Sequence, residues 1–159
     1  TNTEWCYLLG DFGVRVPGRS KVITALPDKL AFDKLETQGL PIYGGNVTYH
    51  LEVEANGALS VTATQYYGAL IGVSVDGADN GRIIYPPYTL LAEDIGSGTH
   101  KVDITLYGHR FNAFGAVHLT DNRHSWHGPD AWRSEGCRWS YEYTLRPVGI
   151  IASPVIKVK

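Results

Sequence analysis

Residues 121–138 bring His124, Trp126, His127, Asp130, Trp132 and Arg133 into one short polar stretch. Flat aromatic faces beside planar hydrogen-bonding groups are what a polyhydroxylated ring asks of a site. Its axial C–H groups form an apolar patch that stacks on Trp or Tyr. Its hydroxyls need partners such as Arg, Asp, Asn and His, because an unpaired buried polar group costs about 1–3 kcal/mol. The same residues have a plainer use: Trp126 and Trp132 can fold inward to anchor a long loop. Arg123 and Arg133 can stand in solvent or touch a neighbouring domain. Composition leaves both uses open. A second cluster, Tyr107-Gly108-His109-Arg110-Phe111-Asn112, offers His109, Arg110 and Asn112 to a ligand. Alternatively it is a polar hairpin tip with Phe111 plugging the core. Tyr66 and Tyr67 are adjacent, so on a strand they point to opposite faces and one of them, taken as Tyr67, is free to stack.

Other chemistries find less support. His124 and His127 lie three apart, but Gly128-Pro129 argues against a helix, and no cysteine or acidic cluster completes a zinc set. Asp76, Asp79 and Asn80 share the turn-forming run Asp76–Gly81, and hard oxygen ligands from one loop suit calcium, so a structural calcium is an expectation there. Glycoside hydrolysis needs two carboxylates about 5–10 Å apart across a cleft. Nothing among the 16 acidic residues marks such a pair. Glu142 alternates with Tyr141 and Tyr143 and so faces away from them. Nucleophile elbows, phosphate loops and dinucleotide fingerprints are also missing from the sequence. The reading is a binding or structural domain, not an enzyme.

The elements that must position these residues show a period of two. Val47, Tyr49, Leu51 and Val53 alternate with Thr48, His50, Glu52 and Glu54, a strand with one wet face. Asn56-Gly57 follows, then Leu59, Val61 and Ala63, so residues 47–64 read as a hairpin. Ile71, Val73 and Val75 lead into Asp76–Gly81, and Gly81–Ile84 returns until Pro86-Pro87. Gly96-Ser97-Gly98 reads as a turn before Val102, Ile104 and Leu106. Trp5 to Leu9, Ala113 to Leu119 and Trp139 to Leu145 alternate in the same way. Eight to ten strands are expected, with one short helical turn over Asp33–Gln38 closed by Gly39. Residues 121–138 are left as a long loop between two late strands, the kind of loop that often carries function.

The 159 residues fit one domain, 1–159. With 14 basic and 16 acidic residues the net charge is −2, which gives no reason to expect nucleic acid or an anionic membrane as a partner. The sequence contains no Met and reads as a module excised from a longer protein. Cys6 and Cys137 are its two cysteines. A bridge between them would contribute roughly 4–5 kcal/mol in the chain-entropy picture, and two buried free thiols are the alternative. The sequon Asn46-Val47-Thr48 begins a strand.

Several segments resemble, in their order, the sugar-binding jelly rolls of bacterial glycoside hydrolases. Tyr43-Gly44-Gly45-Asn46-Val47-Thr48-Tyr49 is similar to the opening hairpin. Ile71–Gly77 looks like a strand ending in Val-x-Val and an Asp-Gly turn. Tyr85-Pro86-Pro87-Tyr88, Leu91–Ile95 and Gly98-Thr99-His100-Lys101-Val102 follow in the family's order. The likeness covers residues 41–120. Gly128–Arg133 and Trp139–Pro147 are similar to C-terminal β-domains of large multidomain glycosidases. The sequence departs from the pattern at Ala92-Glu93-Asp94-Ile95, where the aromatic before Asp94 is absent.

The resemblance implies an all-β fold, a β-sandwich of galactose-binding-like jelly-roll type. It implies a non-catalytic carbohydrate-binding module of a bacterial enzyme, with saccharide and the parent's neighbouring domains as partners. The sequence leaves the location open between extracellular or periplasmic and cytoplasmic. The other role such domains play is structural, bracing a catalytic domain with no ligand.

Overall fold

The structure is a computed structural model, and it describes residues 6–120 and 136–158. It is nearly all β. The strands are β1 (Gly13–Arg15), β2 (Val22–Thr24), β3 (Val47–Thr62), β4 (Tyr66–Tyr67), β5 (Leu70–Val75), β6 (Ala78–Ile83), β7 (Thr89–Tyr107), β8 (Gly149–Ile150) and β9 (Val155–Val158). Among the described residues two helical turns interrupt them: a 3-10 turn at Leu35–Gln38, capped by Gly39 as expected, and α1 at Phe111–Phe114. The main sheet is antiparallel in the order β6-β5-β7-β3-β9, and β1-β2 and β4-β8 form two small pairs. The β-sandwich expectation holds at this level.

One core joins the layers. Leu59, Val61, Ile71, Val102, Ile104, Leu106 and Ile150 are completely buried. Leu35 and Val148 belong to the same cluster, and Phe32 packs against it by stacking on Tyr49 at 4.4 Å. The 3-10 turn, β4 and β8 therefore cover the inner face of the main sheet. Truncating any one of these Leu or Ile side chains to Ala would cost about 2–5 kcal/mol.

The expected hairpin over 47–64 is not there. β3 runs for 16 residues straight through Asn56-Gly57, and β7 runs for 19 through Gly96-Ser97-Gly98. The two turn-forming motifs lie opposite each other on one ladder, with Asn56 paired to Ser97 and Gly57 to Ile95, and the register shifts there. Gly57 has φ +87 and Gly98 φ +136, with Asp94 beside them at φ +58, so the motifs spend their left-handed backbone on a bulge and not on chain reversal. The next turn is also tighter than expected. β5 and β6 are joined by Asp76-Gly77 alone, both with positive φ, and Ala78–Gly81 already belongs to β6.

Three further strands predicted from alternation are absent among the described residues. Tyr7, Leu8 and Leu9 run along the surface, more than half exposed. Residues 111–115 close a helical turn through Phe114 N–H to Arg110 C=O and Gly115 N–H to Phe111 C=O. Residues 139–145 form one isolated β-bridge, Leu119–Trp139, and a separate backbone bond from Thr144 N–H to Val117 C=O, and no strand. Ser140 Oγ accepts the Glu142 amide and draws the backbone off the ladder. Cys6 and Cys137 are both free and exposed, so neither the bridge nor burial is found.

A clamp closes the β5–β6 turn onto β7. Asp76 accepts from His100 Nδ1 at 2.7 Å and from the Lys101 amide at 2.9 Å, while His100 Nε2 reaches the Gly96 carbonyl at 3.2 Å. Both ring nitrogens donate, so the bound ring is imidazolium. The hydrogen bond to Asp76 raises the His100 pKa, and that to His100 lowers the Asp76 pKa. A raised folded pKa stabilises below the unfolded imidazole value and is lost as pH rises through the folded one. A lowered carboxylate pKa stabilises above its unfolded value and is lost as pH falls. The thermal midpoint is expected to peak in mild acid, between the ordinary carboxylate and imidazole ranges, and to fall on both sides. H100Q should flatten its alkaline limb, which calorimetry across pH 3–9 checks.

Candidate functional site

The segments on either side of residues 121–135 in the chain assemble an aromatic and cationic strip. The chain leaves through Val117–Thr120 and returns through Gly136–Thr144. Thr120 N–H donates to Arg138 C=O and Ser140 N–H to His118 C=O, pinning the two arms together. His118 packs between Trp139, at 5.2 Å and 30°, and Tyr143, at 4.7 Å. Trp139 meets Tyr141 edge-on at 4.4 Å. The β1–β2 connection then lays its cations on the phenol rings: Arg19 lies 4.8 Å from the Tyr141 centroid and Lys21 4.3 Å from that of Tyr143. Tyr141 is 59% exposed, and His118, Trp139 and Tyr143 are half-buried.

The hydrogen bonding of His118 is directional. Its Nδ1 donates to Ser140 C=O at 2.7 Å, so in the neutral ring Nε2 is the acceptor. The strip thus combines aromatic faces, one fixed acceptor and two positioned cations. These can stack on C–H groups, accept from a hydroxyl and attract an anionic substituent. Glu142 is the one carboxylate between Gly136 and Arg146, so this segment holds no acid–base pair.

The residues singled out from sequence are distributed differently. His124, Trp126, His127, Asp130, Trp132 and Arg133 lie outside the described residues. His109 and Asn112 are engaged by backbone: His109 Nε2 donates to Pro147 C=O and its Nδ1 accepts from the Phe111 amide. Asn112, 4% exposed, donates to Arg146 C=O and accepts from Arg146 N–H, both at 2.8 Å. These two side chains form a bracket, not a ligand surface. N112A removes both bonds and should cost about 2–3 kcal/mol, read from chemical denaturation. Arg110 lines a separate groove. Tyr66 turns inward, its hydroxyl on Ile83 C=O, and Tyr67 outward, as expected.

Asp76, Asp79 and Asn80 do not share one turn. Asp76 holds His100, Asp79 pairs with Arg82 at 2.5 Å, and Asn80 accepts the Val75 amide. Among the described residues no group of three or more His, Cys, Asp or Glu could hold a metal.

Sequence reasoning missed Arg19, Lys21 and His118. The signal within reach was Trp139-x-Tyr141-x-Tyr143, three aromatics on one side of an extended segment.

No protein-family model matches the chain, and no curated protein matches it. Solved structures do. A rhamnosidase from Novosphingobium sp. PP1Y is similar over 91% of this chain, with 18% identity and a TM-score of 0.51. A GH2 beta-galacturonidase from Eisenbergiella tayi, bound to glycerol, matches over 91% with 19% identity and a TM-score of 0.47. The chain spans 22% of the galacturonidase and 14% of the rhamnosidase. The likeness is one of fold.

Proposed function

We propose that this chain is a non-catalytic β-sandwich domain of a glycoside hydrolase, and that it binds saccharide on the strip formed by Trp139, Tyr141, Tyr143, His118, Arg19 and Lys21. The observation that carries the reading is the strip itself: exposed and half-buried aromatic rings with positioned polar groups at their edges. The small share of each hydrolase that the fold occupies fits an accessory domain. Binding is expected to be weak, with Kd in the micromolar to millimolar range, because an open site gains little beyond its ordering and desolvation costs.

The cations set a preference. A saccharide bearing a carboxylate should bind more tightly than its neutral counterpart, and the difference should shrink as salt rises. Isothermal titration with paired neutral and uronic oligosaccharides tests this. Heat with the uronic members and weaker heat with the neutral ones supports the reading. No heat with any member overturns it.

A further inference from the structure

A groove on the N-terminal side of the strip adjoins it and shares Lys21 and Tyr143 with it. It comprises two adjoining cavities of about 640 and 510 Å³ that share Leu8, Phe12, Val14, Ile42, Ala113 and Phe114. Its exposed edge is apolar, with Leu8 at 69%, Ile23 at 58% and Phe114 at 48%. Apolar surface of this kind, continuous and open, marks a contact surface.

The chemistry of the lining decides the class of occupant. Polar side chains are few, and the amide of Asn112 is already taken up by the Arg146 backbone. A sugar would leave its hydroxyls unpaired there. Among the described residues no carboxylate lines either cavity. Each instead has one cation, Lys21 in the larger and Arg110 in the smaller. Arg15 and Asp11 are both exposed and each adjoins a lining residue without lining either cavity, so they leave the balance to Lys21 and Arg110. The groove is thus mainly apolar, with one lining cation in each cavity.

We infer that this groove docks a polypeptide segment whose apolar side chains are flanked by Asp or Glu, supplied by an adjoining domain. Leucine- or valine-sized side chains fill the floor, and carboxylates meet Lys21 and Arg110. This rests on the accessory-domain part of the proposed function; because Lys21 and Tyr143 belong to both surfaces, the test uses Arg110 and Ile23, which line the groove alone, and Tyr141, which belongs to the strip alone. Charge complementarity then sets register and on-rate, and apolar burial holds the complex.

Fluorescent twelve-residue peptides test the inference on the whole chain: one alternating Leu and Val with Glu, one with Lys in place of Glu, and one with Ser in place of Leu and Val. The acidic apolar peptide should bind, at least about fivefold more tightly than either control, and weaken with salt. R110E should reduce its affinity at least about fivefold. I23D, at a position already exposed and therefore compatible with folding, should do the same. Neither variant should change saccharide binding, whereas Y141A should change saccharide binding alone. Equal binding of acidic and basic peptides, no binding of any peptide, displacement by an anionic detergent monomer at lower concentration than by peptide, or dimerisation of the chain through Ile23 would each overturn the inference. Loss of saccharide binding with peptide binding intact would count against the strip and not the groove.

Discussion

Replacing Gly149 with alanine should be among the most damaging single changes in this chain. Gly149 opens β8, has φ +152 and bridges Lys34, and a Cβ there would fall on the Asp33 carbonyl. Both contacts are backbone, so no side-chain rotation relieves them. The same junction carries the Leu35 N–H bond to Val148 C=O at 2.7 Å, and Leu35 and Ile150 are core residues on either side. Accommodating the methyl group means separating the 3-10 turn from β8 and opening the core between them. The expected cost is about 3–5 kcal/mol, from strain plus lost packing. For a domain of this size that corresponds to a fall in Tm of roughly 8–15 °C. Gly57→Ala is the comparison: its φ is +87, but a Cβ there meets nothing within 4 Å, so strain alone operates, at about 1–2 kcal/mol. Differential scanning calorimetry of both variants decides the matter, and equal losses would show that the 3-10 turn and β8 are not packed as described.

The second large effect concerns ligand binding. Trp139 is the hinge of the strip, since it stacks with His118 and meets Tyr141 edge-on. W139A should remove its own face and release both neighbours, lowering saccharide affinity by about 30-fold or more, or roughly 2 kcal/mol. Y141A removes an exposed ring and the seat of Arg19, and should cost about tenfold. Tyr141 is 59% exposed, so Y141A should leave Tm nearly unchanged. It therefore separates loss of binding from loss of folding. Y67A, on an exposed ring of β4 outside the strip, should leave affinity unchanged. Titration of the three variants against one saccharide checks the order, and an effect of Y67A equal to that of Y141A would relocate the site.

How far the sequence revealed this molecule depends on the range of the interaction concerned. The alternation of Val47 to Glu54 correctly assigned inner and outer faces, because period-two burial is a local property of a strand. The helical turn at Leu35–Gln38 and its glycine cap were legible for the same reason. Asn56-Gly57 misled because a turn and a bulge draw on the same left-handed backbone, and what separates them is the partner opposite, here Ser97 and Ile95 some forty residues away. Ala113 to Leu119 misled because small residues alternate there by composition, and a helical turn tolerates them. The strip was half visible: Trp139, Tyr141 and Tyr143 alternate in the chain. Their cations come from Arg19 and Lys21, more than a hundred residues earlier, and no spacing rule joins the two segments. His109 and Asn112 looked like ligand groups because polar residues near aromatics fit that role on paper, but the Arg146–Pro147 backbone claims them.

The most direct test of saccharide recognition is a two-dimensional NMR titration of the intact chain with a uronic oligosaccharide, following side-chain and backbone signals together. The account predicts saturable shifts concentrated on the Trp139 indole, the His118 ring, Tyr141, Tyr143 and the amides of Arg19 and Lys21, with the groove residues Ile23 and Leu40 unmoved. Shifts centred on β4 or the groove, or no shift at millimolar saccharide, would contradict it.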